Sequence, residues 1–292
     1  MKIVSTGNSE GLSSKISSIL GIPLARINRR RFADGELYVR VEEELDDAIV
    51  VGSTYPDSGI IDILLTADAS ANAGAKGMIL LVPYFGYARQ DSMFQRYEAV
   101  SARVLSELFK EKFERIFVVN MHSPEGMAFL GNKGEEIRVE PVIGKKVKED
   151  GNDLVISPDD GFKEEGENIS KVAGLNAIAL TKKRVSDTKV EITIPEGAEI
   201  EGKRVALTDD LISTGGTILE SSKVLKQNGA KEINVYCVHG LFVSGTSKYA
   251  GFVDSISTTD TVEGPFSKMT VSNAVASSLR KYLEHSNEGD SN

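Results

Sequence analysis

Short apolar runs alternate along the chain with longer segments in which apolar residues recur every three or four positions. The runs are typical of buried strands and the longer segments of amphipathic helices. Strands are predicted at Met1–Ser5, Ala48–Gly52, Gly77–Pro83, Arg115–Asn120, Leu154–Ser157, Arg204–Thr208 and Glu232–Val238. Helices are predicted at Ser9–Leu20, Ile60–Ala73, Ala99–Lys110, Gly216–Asn228 and Ser272–Leu283. This alternation predicts an α/β fold with mostly parallel sheets flanked by helices.

Two stretches of the chain resemble each other. Around Gly74-Ala75-Lys76 and again around Gly229-Ala230-Lys231, the order is strand, loop, helix, Gly-Ala-Lys, strand. The stretches align without a gap, although Gly-Ala-Lys is also common by chance where a helix ends before a strand. We interpret them as two similar domains. The predicted division is 1–145 and 146–283, followed by a polar, disordered tail at 284–292.

Composition and charge narrow the class of protein. The 292 residues include a single cysteine, Cys237, which excludes an internal disulfide framework and a multi-cysteine zinc site. No run approaches the roughly 18 apolar residues of a membrane span, and the N-terminus is a predicted strand rather than a signal peptide, so we expect a cytoplasmic protein. The formal charge of −9 argues against a general nucleic-acid binder.

The candidate chemistry is concentrated where the strand at Arg204–Thr208 ends. Asp209-Asp210-Leu211-Ile212 is followed by Ser213-Thr214-Gly215-Gly216-Thr217, which leads directly into a predicted helix. Free backbone N–H groups at a helix start bind phosphate, and two glycines let the backbone approach it closely. The acidic pair suits sugar hydroxyls or a metal ion. A simple helix N-cap at Ser213 or Thr214 would explain one hydroxyl but not the whole pattern.

Four further segments carry polar groups with an ambiguous meaning by themselves. They are Arg31-Phe32-Ala33-Asp34-Gly35-Glu36-Leu37-Tyr38-Val39, Pro83-Tyr84-Phe85-Gly86-Tyr87-Ala88-Arg89-Gln90-Asp91, Asn120-Met121-His122-Ser123 and Lys182-Lys183-Arg184. Alone, Asp34-Gly35 indicates a hairpin turn, and a single histidine such as His122 is more often structural than a ligand. Their order and spacing acquire a functional meaning only when they are considered together.

Together these segments resemble the ribose-phosphate diphosphokinases, also called phosphoribosyl-diphosphate synthetases, from about Met1 to Leu283. Thr208–Thr217 looks like the ribose-phosphate loop of the phosphoribosyltransferase fold, so the resemblance implies two similar phosphoribosyltransferase-type domains. It implies a homo-oligomer, dimer or hexamer, and Mg²⁺ as cofactor. The implied ATP-binding residues are Phe32, Asp34, Glu36, Arg89, Gln90 and Asp91. The implied ribose 5-phosphate residues are Asp209, Asp210, Ser213, Thr214, Gly215, Gly216 and Thr217. The implied metal residues are His122 and Asp159, and the implied catalytic residues are Lys182 and Arg184.

The chain departs from the pattern of that family at two positions. Pro158-Asp159-Asp160-Gly161-Phe162 has Phe162 where the family has a second glycine, which affects the expected path of the pyrophosphate loop. Asn120 stands where the family has an acid before the metal histidine. Both departures lie beside residues that the resemblance assigns to metal.

The resemblance implies transfer of a diphosphoryl group from ATP to ribose 5-phosphate. A phosphoribosyltransferase that uses phosphoribosyl diphosphate as donor is the alternative, since it shares the same loop. A catalytically silent regulatory relative is a third hypothesis, but the presence of His122, Lys182, Arg184 and the acidic pair argues against it.

Overall fold

The computed structural model describes residues 1–184 and 190–289, with the side chains of 182–184, 190–191 and 286–289 outside the description. The chain forms two compact units. The first contains Met1–Arg138, Thr261–Glu263 and the chain from Val271 onward; the second contains Val139–Asp260 and Gly264–Thr270. Among the described residues, no helix combines the length and the apolar character needed to cross a membrane.

The first unit is built on a five-stranded parallel sheet in the order β1-β4-β5-β6-β7. Its elements are β1 Lys2–Ser5, α1 Glu10–Leu20, β2 Ile27–Arg31, β3 Leu37–Val41, β4 Asp47–Val51, α2 Ser58–Asn72, β5 Gly77–Val82, α3 Ser101–Lys110, β6 Arg115–Val119, α4 Pro124–Ala128 and β7 Gly134–Ile137, with α8 Ser272–Gly289 from the end of the chain. The central strands are buried on both faces, as parallel strands between helix layers are. One core cluster packs Val50 and Leu80 of the sheet against Phe109 of α3.

The second unit is built on a six-stranded parallel sheet in the order β15-β14-β13-β12-β8-β9. Its elements are α5 Glu140–Glu149, β8 Leu154–Ser157, α6 Lys163–Ala173, β9 Asn176–Ala179, β10 Thr181–Arg184, β11 Val190–Thr193, β12 Arg204–Ile212, α7 Gly216–Gln227, β13 Glu232–Gly240, β14 Ser255–Thr259 and β15 Ser267–Met269. Val205, Leu207, Ile233 and Val235 of the two central strands belong to one buried cluster. The two sheets confirm the predicted α/β class with parallel sheets.

The internal similarity corresponds to a repeated supersecondary unit, β4-α2-β5 in the first unit and β12-α7-β13 in the second. Gly74 and Gly229, after the two helices, both have left-handed φ values of 103° and 80°. The strand pairing differs between the copies: Val50 faces Leu80, whereas Val205 faces Ile233. The ungapped alignment matches Val50 with Val205 and Leu80 with Val235. If the strand pairing were the same in both copies, Val205 would face Val235, so the register differs by two residues.

An antiparallel hairpin precedes the repeated unit in each copy. In the first unit, β2 and β3 pair from Ile27↔Val41 to Arg31↔Leu37 and lead into β4. In the second, β10 and β11 pair from Thr181↔Thr193 to Arg184↔Val190, and the chain continues to β12. The two candidate segments Phe32–Glu36 and Lys182–Arg184 therefore lie in hairpins at corresponding places in the two copies.

The two compact units differ from the predicted division at two places. The second unit begins at Val139 rather than at 146, because α5 belongs wholly to it. The last helix belongs to the first unit, not the second, since Arg280 Nη2 donates to the Ile19 carbonyl at 3.2 Å and the Tyr282 ring meets Phe117 edge-on at 5.7 Å. That helix also runs to Gly289, so residues 284–289 of the predicted disordered tail are helical.

Candidate active site

Three carboxylates lie at the carboxyl edge of the second sheet, where open α/β sheets bind ligands. The strand β12 is longer than predicted: it continues through Asp209 and Asp210 to Ile212, because β13 pairs with it as far as Gly240. Asp159 follows the neighbouring strand β8, and its Oδ1 accepts from the Gly161 N–H at 3.0 Å. Burial raises the pKa of Asp209, and the negative charges of Asp210 and Asp159 raise this pKa further.

The loop Ser213–Thr217 joins this edge to α7. Gly215 is the residue before the helix, and its left-handed φ of 76° turns the chain into the first helical turn. The first N–H groups of a helix have no acceptor within it, so they are available to an anion. A Cβ added to Gly216 would have no atom within 4 Å, which leaves open space in front of the helix start. This geometry suits a phosphate.

Two residues that the sequence did not single out support this loop. The Lys248 Nζ donates to the carbonyl of Thr214. The buried Tyr249 places its hydroxyl 3.4 Å from the carbonyl oxygen of Gly215. Both belong to a short 3-10 turn at Ser247–Tyr249, more than thirty residues after the loop. No local pattern links such distant segments.

Phe162 has a structural explanation. Its side chain is 5% exposed, and its carbonyl accepts from the Ser157 hydroxyl at 2.9 Å. Phe162 thus holds the end of the turn against the strand β8, while Gly161 and Asp160 remain exposed. The residue that departs from the resembled family therefore has a buried side chain, whereas the outer part of the turn is exposed.

In the first unit, Phe32–Glu36 is the turn of the β2–β3 hairpin. The Phe32 N–H donates to the Glu36 carbonyl at 2.9 Å, and the Glu36 N–H donates to Asp34 Oδ1 at 3.0 Å. The φ of 94° at Gly35 favours glycine in this turn. Phe32 is 43% exposed and meets Tyr38 edge-on at 5.8 Å. The Arg30 guanidinium lies over the rings of both Phe32 and Tyr38, which forms a cationic aromatic surface at the end of the hairpin.

Arg89, Gln90, Asp91 and His122 all lie at the carboxyl edge of the first sheet. The first three belong to the loop after β5, and His122 follows the adjacent strand β6. Gln90 Nε2 contacts Glu98 Oε2 at 3.3 Å, while the Glu98 carboxylate also accepts from the backbone of Phe94. The buried Asn120 takes a left-handed φ of 42°, and His122, two residues later, is exposed.

Lys182 and Arg184 lie on β10, where they pair with Ile192 and Val190 of β11. Their side chains, and residues 185–189, lie outside the described part of the chain. Their predicted catalytic role stays a prediction.

The structure therefore groups the predicted residues by unit. Asp159, Asp209, Asp210 and Ser213–Thr217 lie at one edge of the second sheet, and Arg89–Asp91 with His122 lie at one edge of the first. Within the described residues, no three histidine, cysteine, aspartate or glutamate side chains are arranged as a metal-binding group.

Comparisons with known proteins cover both units. A family model described as the N-terminal domain of ribose phosphate pyrophosphokinase matches residues 1–112, and a phosphoribosyl transferase domain model matches residues 132–267. A ribose-phosphate pyrophosphokinase of Thermoplasma acidophilum is 35% identical, with 93% of this chain and 96% of that protein covered. Ribose-phosphate pyrophosphokinase 2 of Archaeoglobus fulgidus is 36% identical, with 96% and 100% covered. The crystal structure of phosphoribosylpyrophosphate synthetase from Mycobacterium smegmatis has the same fold, with a TM-score of 0.85, 24% identity, and 97% of this chain and 99% of that chain covered.

Proposed function

Because this chain belongs to the ribose-phosphate pyrophosphokinase family, we propose a role for each residue of the candidate site in the reaction of that family. The enzyme transfers the β,γ-diphosphoryl group of ATP to the C1 hydroxyl of ribose 5-phosphate. The products are 5-phosphoribosyl 1-diphosphate and AMP, and the reaction serves nucleotide biosynthesis. The relatives span both units, which distinguishes this activity from that of a phosphoribosyltransferase with one such domain.

Ribose 5-phosphate binds at the edge of the second sheet. The observation that carries this proposal is the left-handed Gly215 immediately before α7, in the loop that follows the two carboxylates of strand β12. The helix start and the hydroxyls of Ser213, Thr214 and Thr217 hold the 5-phosphate. Asp209 and Asp210 accept hydrogen bonds from the ribose hydroxyls, because a carboxylate next to the phosphate itself would repel it.

ATP binds through residues of the first unit. The exposed Phe32 ring and its Arg30 partner give a flat, cationic aromatic surface, which suits a purine base. Asp34 and Glu36 in the same turn supply acceptors for the amino or hydroxyl groups of the nucleotide. Arg89, Gln90 and Asp91 contribute from the sheet edge. In the resembled family a neighbouring subunit completes this site, so we also propose a homo-oligomer.

Members of this family use ATP and generally need a metal, and Mg²⁺ fits the residues of the second unit. Asp159, Asp209 and Asp210 bring three carboxylates to one edge of the sheet. Burial is the main cause of the raised pKa of Asp209, and the negative charges of Asp210 and Asp159 raise this pKa further. A divalent cation would offset that negative charge, and carboxylate oxygens are ligands that Mg²⁺ prefers. The role of His122 rests on the resemblance, since imidazole is a less usual magnesium ligand. When bound with ATP, Mg²⁺ neutralises charge on the phosphate oxygens.

In the reaction the C1 hydroxyl oxygen forms a bond to the β-phosphorus, and the bond from that phosphorus to the oxygen bridging to the α-phosphate breaks. AMP leaves with the bridging oxygen, and the hydroxyl proton is released. The protein contributes chiefly by alignment and by stabilising charge on the transferring oxygens. Lys182 supplies a compact charge and Arg184 a planar fork for this purpose.

We place the enzyme in the cytoplasm, where its single buried Cys237 stays reduced.

Phosphorus NMR of the purified protein with ATP, Mg²⁺ and ribose 5-phosphate tests the proposal. We expect AMP and 5-phosphoribosyl 1-diphosphate to appear together and to depend on both substrates. Chelation of the metal should abolish both signals. Consumption of added 5-phosphoribosyl 1-diphosphate only when a base is supplied would instead indicate a phosphoribosyltransferase.

A further inference from the structure

The two faces of the β2–β3 hairpin have different chemistry. Alternation along paired strands puts Arg30, Phe32 and Tyr38 on one face, where the Arg30 guanidinium lies over both rings and forms the aromatic surface described above. Ile27 and Val41 lie on the other face, where they pack against the core of the first unit. The base of the hairpin is therefore held by apolar contacts, whereas the turn that carries Phe32 projects beyond them.

Arg29 lies on the inner face between the apolar base and the turn. Its Nε donates to Asp62 Oδ1 at 3.0 Å, and its Nη2 donates to the Ser5 carbonyl at 2.9 Å and to Thr66 Oγ1 at 3.1 Å. One guanidinium thus joins the hairpin to the end of β1 and to two turns of α2. A lysine could not make this set of contacts, because its charge is a single point rather than a fork.

Asp62 is fixed in turn by its own partners. Its Oδ2 accepts from the Gly7 N–H at 2.9 Å, and its Oδ1 accepts from Thr66 Oγ1 at 3.1 Å. The side chains of Arg29 and Asp62 are only 15% and 10% exposed, so solvent screens this ion pair weakly. The exposed pair at the base of the same hairpin, Arg26 with Glu43, has an arginine that is 72% exposed.

Packing alone does not fix the outer part of the hairpin. A cavity of about 320 Å³ lies beside Arg29, and it is lined on the hairpin by Arg31 and Leu37 and on the other side by Asn8, Pro56 and Ser58. Arg29 and Asp62 also line it, at the point where the ion pair crosses from the hairpin to α2. The ion pair therefore connects the hairpin to α2 at the edge of this cavity.

We propose that Arg29 is a positioning residue for ATP: through Asp62, Thr66 and Ser5 it sets the angle of the hairpin and so places the Phe32–Glu36 turn. The inference rests on the proposed ATP role of that turn. When Arg29 is lost, the hairpin samples other angles. The apparent affinity for ATP then falls in proportion to the fraction of molecules whose hairpin has the angle that binds ATP. The ribose 5-phosphate site, in the second unit, is unaffected.

Steady-state kinetics of full-length Arg29→Met tests this, with Arg26→Met as the matched control on the exposed ion pair. A hairpin competent one-tenth of the time predicts a KM for ATP raised about tenfold. The KM for ribose 5-phosphate and the kcat at saturating ATP should stay close to the values of the unmodified enzyme, as should all three constants of Arg26→Met. Arg29→Lys should give a KM for ATP between those of Arg29→Met and the unmodified enzyme. If Arg29→Met does not fold, Arg29→Lys is the variant that tests the inference.

Phe32→Ala, measured beside these variants, separates the inference from the proposal beneath it. If Phe32→Ala raises the KM for ATP and Arg29→Met or Arg29→Lys leaves it unchanged, the positioning role is wrong and the ATP role of the turn stands. If Phe32→Ala leaves the KM for ATP unchanged, the turn does not bind ATP and both ideas fail. A parallel loss of kcat and of both affinities in Arg29→Met and Arg29→Lys would indicate general unfolding and would also overturn the inference.

Discussion

The hydroxyl of Tyr249 occupies the space where a side chain on Gly215 would begin. A Cβ built on Gly215 would lie 1.7 Å from that oxygen, and the residue also has a left-handed φ of 76°. Gly216, the next residue, has neither restriction. The two adjacent glycines of the phosphate loop thus serve different purposes, and only the first is required by backbone geometry and by its surroundings.

We expect Gly215→Ala to destabilise the protein and to weaken ribose 5-phosphate binding. The left-handed conformation costs a non-glycine residue about 1–2 kcal/mol, before the displacement of Tyr249 is counted. Thermal unfolding should show a midpoint lower by roughly 2 °C or more. Gly216→Ala is the matched control for stability, and an equal loss in both variants would show that the contact with Tyr249 is unimportant.

Phe32→Trp should report ATP binding directly. The chain contains no tryptophan, so the emission would come from the hairpin turn alone. A nucleotide base stacked on this ring should change its emission in a saturable way, and ribose 5-phosphate alone should not. Phe252→Trp, in the second unit, controls for absorption of light by ATP. Identical titration curves for the two variants would remove Phe32 from the nucleotide site.

Asp210→Asn should raise the KM for ribose 5-phosphate more than the KM for ATP. A hydrogen bond to a charged group contributes about 1.5–3 kcal/mol, which corresponds to a change of roughly tenfold to a hundredfold. Asp160→Asn, at an exposed position beside Asp159, is the control for loss of one negative charge near this edge. An unchanged sugar-phosphate KM in Asp210→Asn would exclude contact with the ribose.

Lys182→Ala should reduce kcat by about 10³ or more, by analogy with other cations that stabilise phosphoryl transfer. Lys183→Ala is the control, because the resemblance assigns a role to its two neighbours and none to Lys183. Single-turnover kinetics with saturating substrates measures the chemical step. A rate within tenfold of the unmodified enzyme would show that Lys182 is not catalytic.

The raised pKa of Asp209 predicts a pH-dependent stability in the absence of substrates and metal. Because the folded state holds this proton more tightly than the unfolded state, stability falls as pH rises from about 3.9 through the folded pKa. Asp209→Asn removes this loss, so the variant should be the more stable protein at pH 7. Below about pH 4 the two should converge, and urea unfolding across this range measures the difference. A variant less stable at pH 7 would contradict the assignment.

The central strands could be predicted because each is a continuous apolar run, and Leu154–Ser157 is a strand with the predicted bounds. The strands β2 and β3 could not be identified from their own sequence, although Asp34-Gly35 indicates the turn between them. The first strand, Ile27–Arg31, contains three consecutive arginines, so its alternation is hidden. Arg29 becomes an inner-face residue only through partners 24 to 37 positions away in the chain.

In the candidate site too, local motifs could be recognised in the sequence, whereas contacts between distant residues could not. Local motifs found the loop before α7 and the turn of the first hairpin, because both combine glycine with polar residues in one short segment. The contacts of Lys248 and Tyr249 with the loop could not be predicted, because 34 positions of sequence separate the partners. The unit to which α8 belongs also depends on distant contacts, Arg280 with Ile19 and Tyr282 with Phe117. The roles of the individual site residues stay predictions until the variants are measured.

The two-residue difference in strand pairing between the copies has a consequence for how such repeats diverge. Side chains of a strand alternate between its faces, so a slip by one residue would exchange inside and outside along the whole strand. A slip by two preserves the sides: Val50 and Leu80 share one buried cluster, and Val205 and Ile233 share its counterpart. The two copies therefore differ in strand register while each keeps its paired valine, leucine and isoleucine side chains on the buried side.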